Sequence, residues 1–142
     1  MSLDTINAPE VTGYLLLFRN TEWYSEGGYS DDEIRQAMGR VKTWFDGLYA
    51  SGKVAGAQPL MNEAVIISGK GGRTVTDGPF VEAKEAIGGY VLLKVDSQEE
   101  AVAIARTNPM HDYGLKTEVR PVASSCPKMH ELDQKLTAVG AV

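Results

Sequence analysis

Tyr90-Val91-Leu92-Leu93-Lys94-Val95, followed by Ser97-Gln98-Glu99-Glu100, reads as a strand running into a capped helix. An apolar run of strand length is followed by a capping box, in which Ser97 accepts from the first-turn amides and Glu100 reaches back. Ala101, Ile104 and Ala105 continue as an apolar stripe. Asn108-Pro109 stops the helix, because the residue before a proline is held out of the helical region. The same plan occurs earlier in the chain. There Tyr14-Leu15-Leu16-Leu17-Phe18 is the strand and Ser30-Asp31-Asp32-Glu33 the capping box. Ile34, Met38, Val41, Phe45 and Leu48 form the stripe, and Gly52 supplies the left-handed position that ends the helix.

Between these units, residues 53–59 read as extended and Ala64 to Ser68 as a strand. Gly69-Lys70-Gly71-Gly72 then turns the chain into Arg73-Thr74-Val75, which makes a hairpin. A phosphate loop is excluded there, since the GxxxxGK[ST] spacing and a following helix are missing. Leu115 to Val122 is the last strand, in which Leu115, Thr117 and Val119 alternate with Lys116, Glu118 and Arg120. The order βαββαβ with an inserted β-hairpin is the ferredoxin-like arrangement of the α+β class. The chain divides into an N-terminal extension (1–12), one domain (13–123) and a tail (124–142). In the tail Met129, Leu132, Leu136 and Val139 have the spacing of a short amphipathic helix.

A burial argument then reaches the assembly. A sheet with one wet face alternates apolar and polar residues, but Leu15-Leu16-Leu17, Val65-Ile66-Ile67 and Val91-Leu92-Leu93 do not. Two helices cover one face only. The pattern therefore predicts a homodimer in which a second copy covers the other face.

The bulk composition excludes several classes of function. With 142 residues the chain is one domain in size, and its net charge of −5 with 14 scattered basic residues argues against nucleic acid as a partner. No apolar run approaches the roughly 20 residues of a membrane span. The first ten residues lack the basic and apolar regions of a signal peptide, so none is expected. Cys126 is the single cysteine, which excludes an internal disulfide and fits a cytoplasmic location.

Candidate chemistry gathers in Thr76-Asp77-Gly78-Pro79-Phe80-Val81-Glu82-Ala83-Lys84-Glu85, which runs on to Gly88-Gly89-Tyr90. So many turn residues beside so many charges describe a loop of fixed shape with a polar rim. As scaffold, Asp77 closes a turn, Phe80 plugs the core and Glu82, Lys84 and Glu85 are solvated. As a site, Asp77 and Glu82 are the catalytic candidates, because a desolvated carboxylate has a raised pKa and can act as a general base. Phe80 and Lys84 would then contact the substrate. Glu118 and Arg120 share one side of their strand, facing either a ligand or each other across the dimer. Trp23 and Tyr24, with Tyr29, sit on a glycine-containing loop and either close over an organic ligand or anchor that loop. Cys126 and His130 have the spacing of two ligands on one helical turn, but with no second pair no metal is expected. His111 beside Asp112 is weak evidence of a dyad, since adjacency in a loop does not aim the two groups together.

The Asp77-Gly78-Pro79-Phe80 stretch, the Gly88-Gly89-Tyr90 strand, the Asp96-Ser97 helix start and Glu118-Val119-Arg120-Pro121-Val122 resemble the DGPF-type YciI-like (YCII-related) family. The resemblance covers roughly 13–123 and implies a ferredoxin-like subunit of the dimeric α+β barrel superfamily. It also implies an association with sigma factors, beside which relatives are often encoded. It brings no settled reaction. Founding members carry a His–Asp pair with the histidine on a helix, yet the helix predicted here over 31–51 has no histidine, so that mechanism does not transfer. Haem chemistry, known in the superfamily, lacks an axial ligand here, and no cofactor is expected. Two functions stay open. One is an acid/base enzyme acting on an unknown small molecule; the other is a non-catalytic module that binds a metabolite or a regulator.

Overall fold

The computed structural model describes residues 8–77 and 86–138. Strand β1 (Val11–Arg19) leads through a 3-10 turn at Trp23–Glu26 into helix α1 (Asp31–Ala50) and strand β2 (Val54–Pro59). Strands β3 (Val65–Ser68) and β4 (Thr74–Asp77) follow, then β5 (Ile87–Leu93) and helix α2 (Gln98–Arg106). A second 3-10 turn at Pro109–Tyr113, strand β6 (Lys116–Ala123) and helix α3 (Pro127–Ala138) complete the described chain.

The sheet has the order β2-β5-β1-β6 and is antiparallel throughout. That order is the one expected of a ferredoxin-like α+β chain. The sheet is open, with β2 and β6 at its edges, and does not close into a barrel.

Local chemistry explains the helix ends. Ser30 Oγ accepts from the Glu33 amide at 3.1 Å, and Glu33 Oε1 accepts from the Ser30 amide at 3.1 Å, which satisfies two first-turn donors at once. At the other end Gly52 takes φ of +75°, a conformation that costs glycine nothing sterically. For α2 the box is half used. Ser97 Oγ accepts from the Glu100 amide at 3.1 Å, but the Glu100 carboxylate lies 3.0 Å from Lys53 Nζ, just before β2. A tertiary ion pair has replaced the local bond.

The core lies between the sheet and the helices. Leu16, Val91 and Leu93 are fully buried, and each contributes roughly 1.5–3 kcal/mol through burial. Leu16 stands opposite Val91 on one side and Val119 on the other, so the three strands present one continuous face. Ala101 and Ala105, also buried, let α2 lie close to that face. Helix α1 presents the bulkier Met38, Val41 and Phe45, which pack against the core and are only partly buried.

On the opposite face Leu15 pairs with Leu92 and Arg120, and Leu17 with Tyr90 and Glu118. Leu15, Leu17, Tyr90 and Leu92 are half-buried there. One part of the burial argument needs correction. Val65-Ile66-Ile67 is not in this sheet: β3 and β4 form a separate two-stranded ribbon in which Val65 and Ile67 are 62% and 67% exposed. An apolar run of strand length carries no mark of whether another layer covers it.

Helix α3 occupies the span expected from its spacing, with Met129, Leu132 and Leu136 exposed. Val139 lies outside the described residues.

Candidate functional site

A cavity of about 600 Å³ opens beneath α1, against the end of the sheet formed by β1, β2 and β5. Bulky α1 residues hold the helix off the sheet at this end, whereas small alanines close the gap under α2. Met38, Val41, Phe45 and Tyr49 supply the helical wall, and Phe18 and Gly89 part of the sheet wall. Met110 and Leu115 close the far end. Beside them Asn108, a polar residue only 3% exposed, accepts from the Met110 amide at 3.0 Å and so caps the second 3-10 turn.

The mouth is formed by two segments far apart in sequence. Glu22 and Tyr24 come from the loop after β1, and Leu60 and Asn62 from the segment after β2. The Asn62 side-chain amide donates to Glu22 Oε1 and ties the two segments together. The Ser25 amide donates to the Glu22 carbonyl at 2.9 Å and fixes the turn from which Glu22 projects. A close approach sets the same corner. A Cβ on Gly88 would stand 1.9 Å from Thr21 Oγ1, so only glycine lets this loop lie on β5. Among the described residues lining the cavity, Glu22 is the one with a formal charge.

The aromatic loop is anchored within its own chain. Trp23 is 4% exposed and stacks on Tyr113 with ring centroids 4.2 Å apart and planes inclined by 20°. Tyr29 meets Trp23 edge-on at 5.0 Å. Trp23 is therefore the anchor, and its Nε1 has no hydrogen-bond partner among the described residues. Tyr24, its neighbour, is the residue of this pair that lines the cavity.

The other expected site residues lie elsewhere. Asp77 ends β4, exposed and paired with Val65, and does not line the cavity. Phe80, Glu82 and Lys84 lie outside the described residues. Glu118 and Arg120 do share one side of β6, but on the face away from the helices. Arg19 Nη2 donates to Glu118 Oε1 at 3.2 Å, and Arg120 Nε lies 3.6 Å from Glu118 Oε2. This pairing is made inside one chain; at half-exposed positions each contact contributes about 0–1 kcal/mol.

His111 and Asp112 turn apart. Asp112 accepts from Arg40 Nη2 at 3.0 Å, and this bond holds the guanidinium pKa above its ordinary value. His111 Nδ1 lies 3.0 Å from the Leu115 carbonyl, which can only accept, so Nδ1 carries the proton when the ring is neutral. The other nitrogen, Nε2, then accepts from the Thr117 hydroxyl at 3.2 Å. Among the described residues no group of three His, Cys, Asp or Glu is placed to hold a metal ion, and no helix is long and apolar enough to cross a membrane.

Glu22 and Asn62 are the functional candidates that sequence reasoning missed. The one local signal is the position of Glu22, directly before the Trp23-Tyr24 pair; Asn62 carries no signal of its own.

The YCII-related domain matches residues 14–124, and the chain belongs to that family. No curated protein matches the chain.

Proposed function

We propose that this member of the YCII-related family is a small-molecule-binding protein that works as a homodimer. The observation that carries the first part is the cavity beneath α1. Its volume of about 600 Å³ lies inside the roughly 300–1,000 Å³ range of ligand sites. Mostly apolar walls with a few fixed polar groups at the mouth are the usual composition of such a site.

Half-buried Leu15, Leu17 and Leu92 on the open face of the sheet support the second part. Pairing of two such faces around a two-fold axis would cover them with an identical surface. The sigma-factor association rests on the resemblance alone.

An acid/base enzyme is the second reading, favoured by one observation. The Asn62 amide fixes one oxygen of the Glu22 carboxylate at the cavity, which leaves the other to meet a ligand. An oriented carboxylate at a cavity supports the general-base reading. Binding is the first reading because it needs only the cavity.

A melting-temperature screen of soluble metabolites tests the proposal, run on the wild type and on Ala57→Phe, which puts a ring into the cavity from its sheet wall. Compounds present at a hundredfold excess over Kd stabilise by about 2.7 kcal/mol. At least one compound is expected to raise the Tm of the wild type and leave that of Ala57→Phe unchanged. No shift with any compound, or equal shifts on both proteins, overturns the proposal.

A further inference from the structure

The cavity carries a charge asymmetry that narrows its ligand, an argument that rests on the small-molecule reading above. Four aromatic side chains line it: Phe18, Tyr24, Phe45 and Tyr49. Beside them stands one carboxylate, Glu22, and no Lys, Arg or His lines the cavity among the described residues. An anionic ligand would find no counter-charge there and would be repelled by Glu22.

The state of Glu22 points the same way. The side chain is half-buried, its one hydrogen-bond partner among the described residues is the neutral Asn62 amide, and it takes part in none of the ion pairs found there. A carboxylate partly withdrawn from water without a cation leaves an electrostatic deficit that a positively charged ligand would remove. Aromatic faces attract cations through the ring quadrupole, and the attraction strengthens where water is excluded. The net charge of −5 raises the local concentration of cations around the whole molecule.

We infer that the cavity binds an organic ammonium ion with an apolar body. The ammonium would donate to the free Glu22 oxygen and lie against the tyrosine rings at the mouth, with its hydrocarbon part between Phe45 and the sheet. Tyr24 and Tyr49, at 37% and 51% exposure, are the rings accessible to an entering ligand.

Three probes of similar shape and different charge test this near neutral pH: 2-phenylethylamine (a cation), 2-phenylethanol (neutral) and phenylacetate (an anion). Binding is followed by amide NMR shifts of cavity residues in the full chain. The wild type is expected to bind the amine about tenfold more tightly than the alcohol, and phenylacetate more weakly than either. Glu22→Gln should bring the amine down to the level of the alcohol without moving the alcohol. Tyr49→Leu, which alters an exposed ring and keeps the test open should Glu22→Gln fold poorly, should weaken the amine more than the alcohol. An alcohol or phenylacetate that binds the wild type as tightly as the amine overturns the inference and leaves the small-molecule reading standing. So does a preference for the amine that survives in both variants. If none of the three probes moves a cavity residue, the inference falls; if the metabolite screen is also silent, the small-molecule reading falls with it.

Discussion

The side-chain amide of Asn62 donates to the Glu22 carboxylate across 40 residues of sequence and joins the loop after β1 to the segment after β2 at the cavity mouth. Replacement tests what this bond does. Asn62 is exposed, so Asn62→Ala should lower stability by only about 0.5–1.5 kcal/mol in urea unfolding. Asn62→Asp puts a second carboxylate against Glu22. It should be the less stable variant near neutral pH and should recover toward the alanine variant in acid, where the repulsion is relieved by protonation. Equal stabilities of the two variants at neutral pH would show that the bond does not form in solution.

Gly88 is fixed by Thr21. Gly88→Ala forces its new methyl into the Thr21 side chain, where Oγ1 would lie 1.9 Å away and Cβ 2.8 Å. An overpacked site of this kind costs typically about 1–3 kcal/mol. Thr21→Gly in the same chain should return most of that loss, because it removes every atom in the clash. Calorimetric melting of the single and double variants checks this, and additive losses would contradict it.

Helix α3 carries the clearest pH dependence. Hydrogen bonds from Lys135 and then Lys128 hold the Glu131 carboxyl below its usual range. Because the folded-state pKa is depressed, the associated stability is present above the unfolded carboxylate pKa and is lost as pH falls through the folded one. The Glu131 side chain is 41% exposed, so the effect is small and screened by salt. Amide exchange in α3 should therefore quicken as the pH is lowered through the carboxylate range, after correction for intrinsic rates. Glu131→Gln should remove that dependence. A pH response unchanged in the variant would assign it to other groups.

The open face of the sheet makes the dimer testable. Light scattering at micromolar concentration should give twice the chain mass, with an interface reaching at least the standard range of about 1,200–2,000 Å². Leu17→Lys places a charge at a half-buried position on that face and should yield a folded monomer. A monomeric wild type would contradict the homodimer.

What could be read from the residues divides by range. The two strand–helix units were legible because their signals are local: Ser30 and Glu33 cap within one turn, and the apolar stripes repeat every turn. Legibility fails where distant groups compete. Glu100 leaves its capping box for Lys53, and the apolar Val65-Ile66-Ile67 run makes an exposed ribbon instead of a sheet strand. Trp23 could be read as lid or anchor until Tyr113, 90 positions later, came to lie on its ring. Glu22 and Asn62 were the least visible, since neither sits in a motif and their meeting depends on the path of two loops.

The measurement that reaches the central claim most directly is a crystal structure of the protein with the compound that raises its Tm most. The compound should lie beneath α1, in contact with Phe45 and Tyr49 and with a polar group on Glu22. A compound seated on the open face of the sheet beside Glu118 and Arg120, with the space beneath α1 filled by the protein's own side chains, would contradict the account.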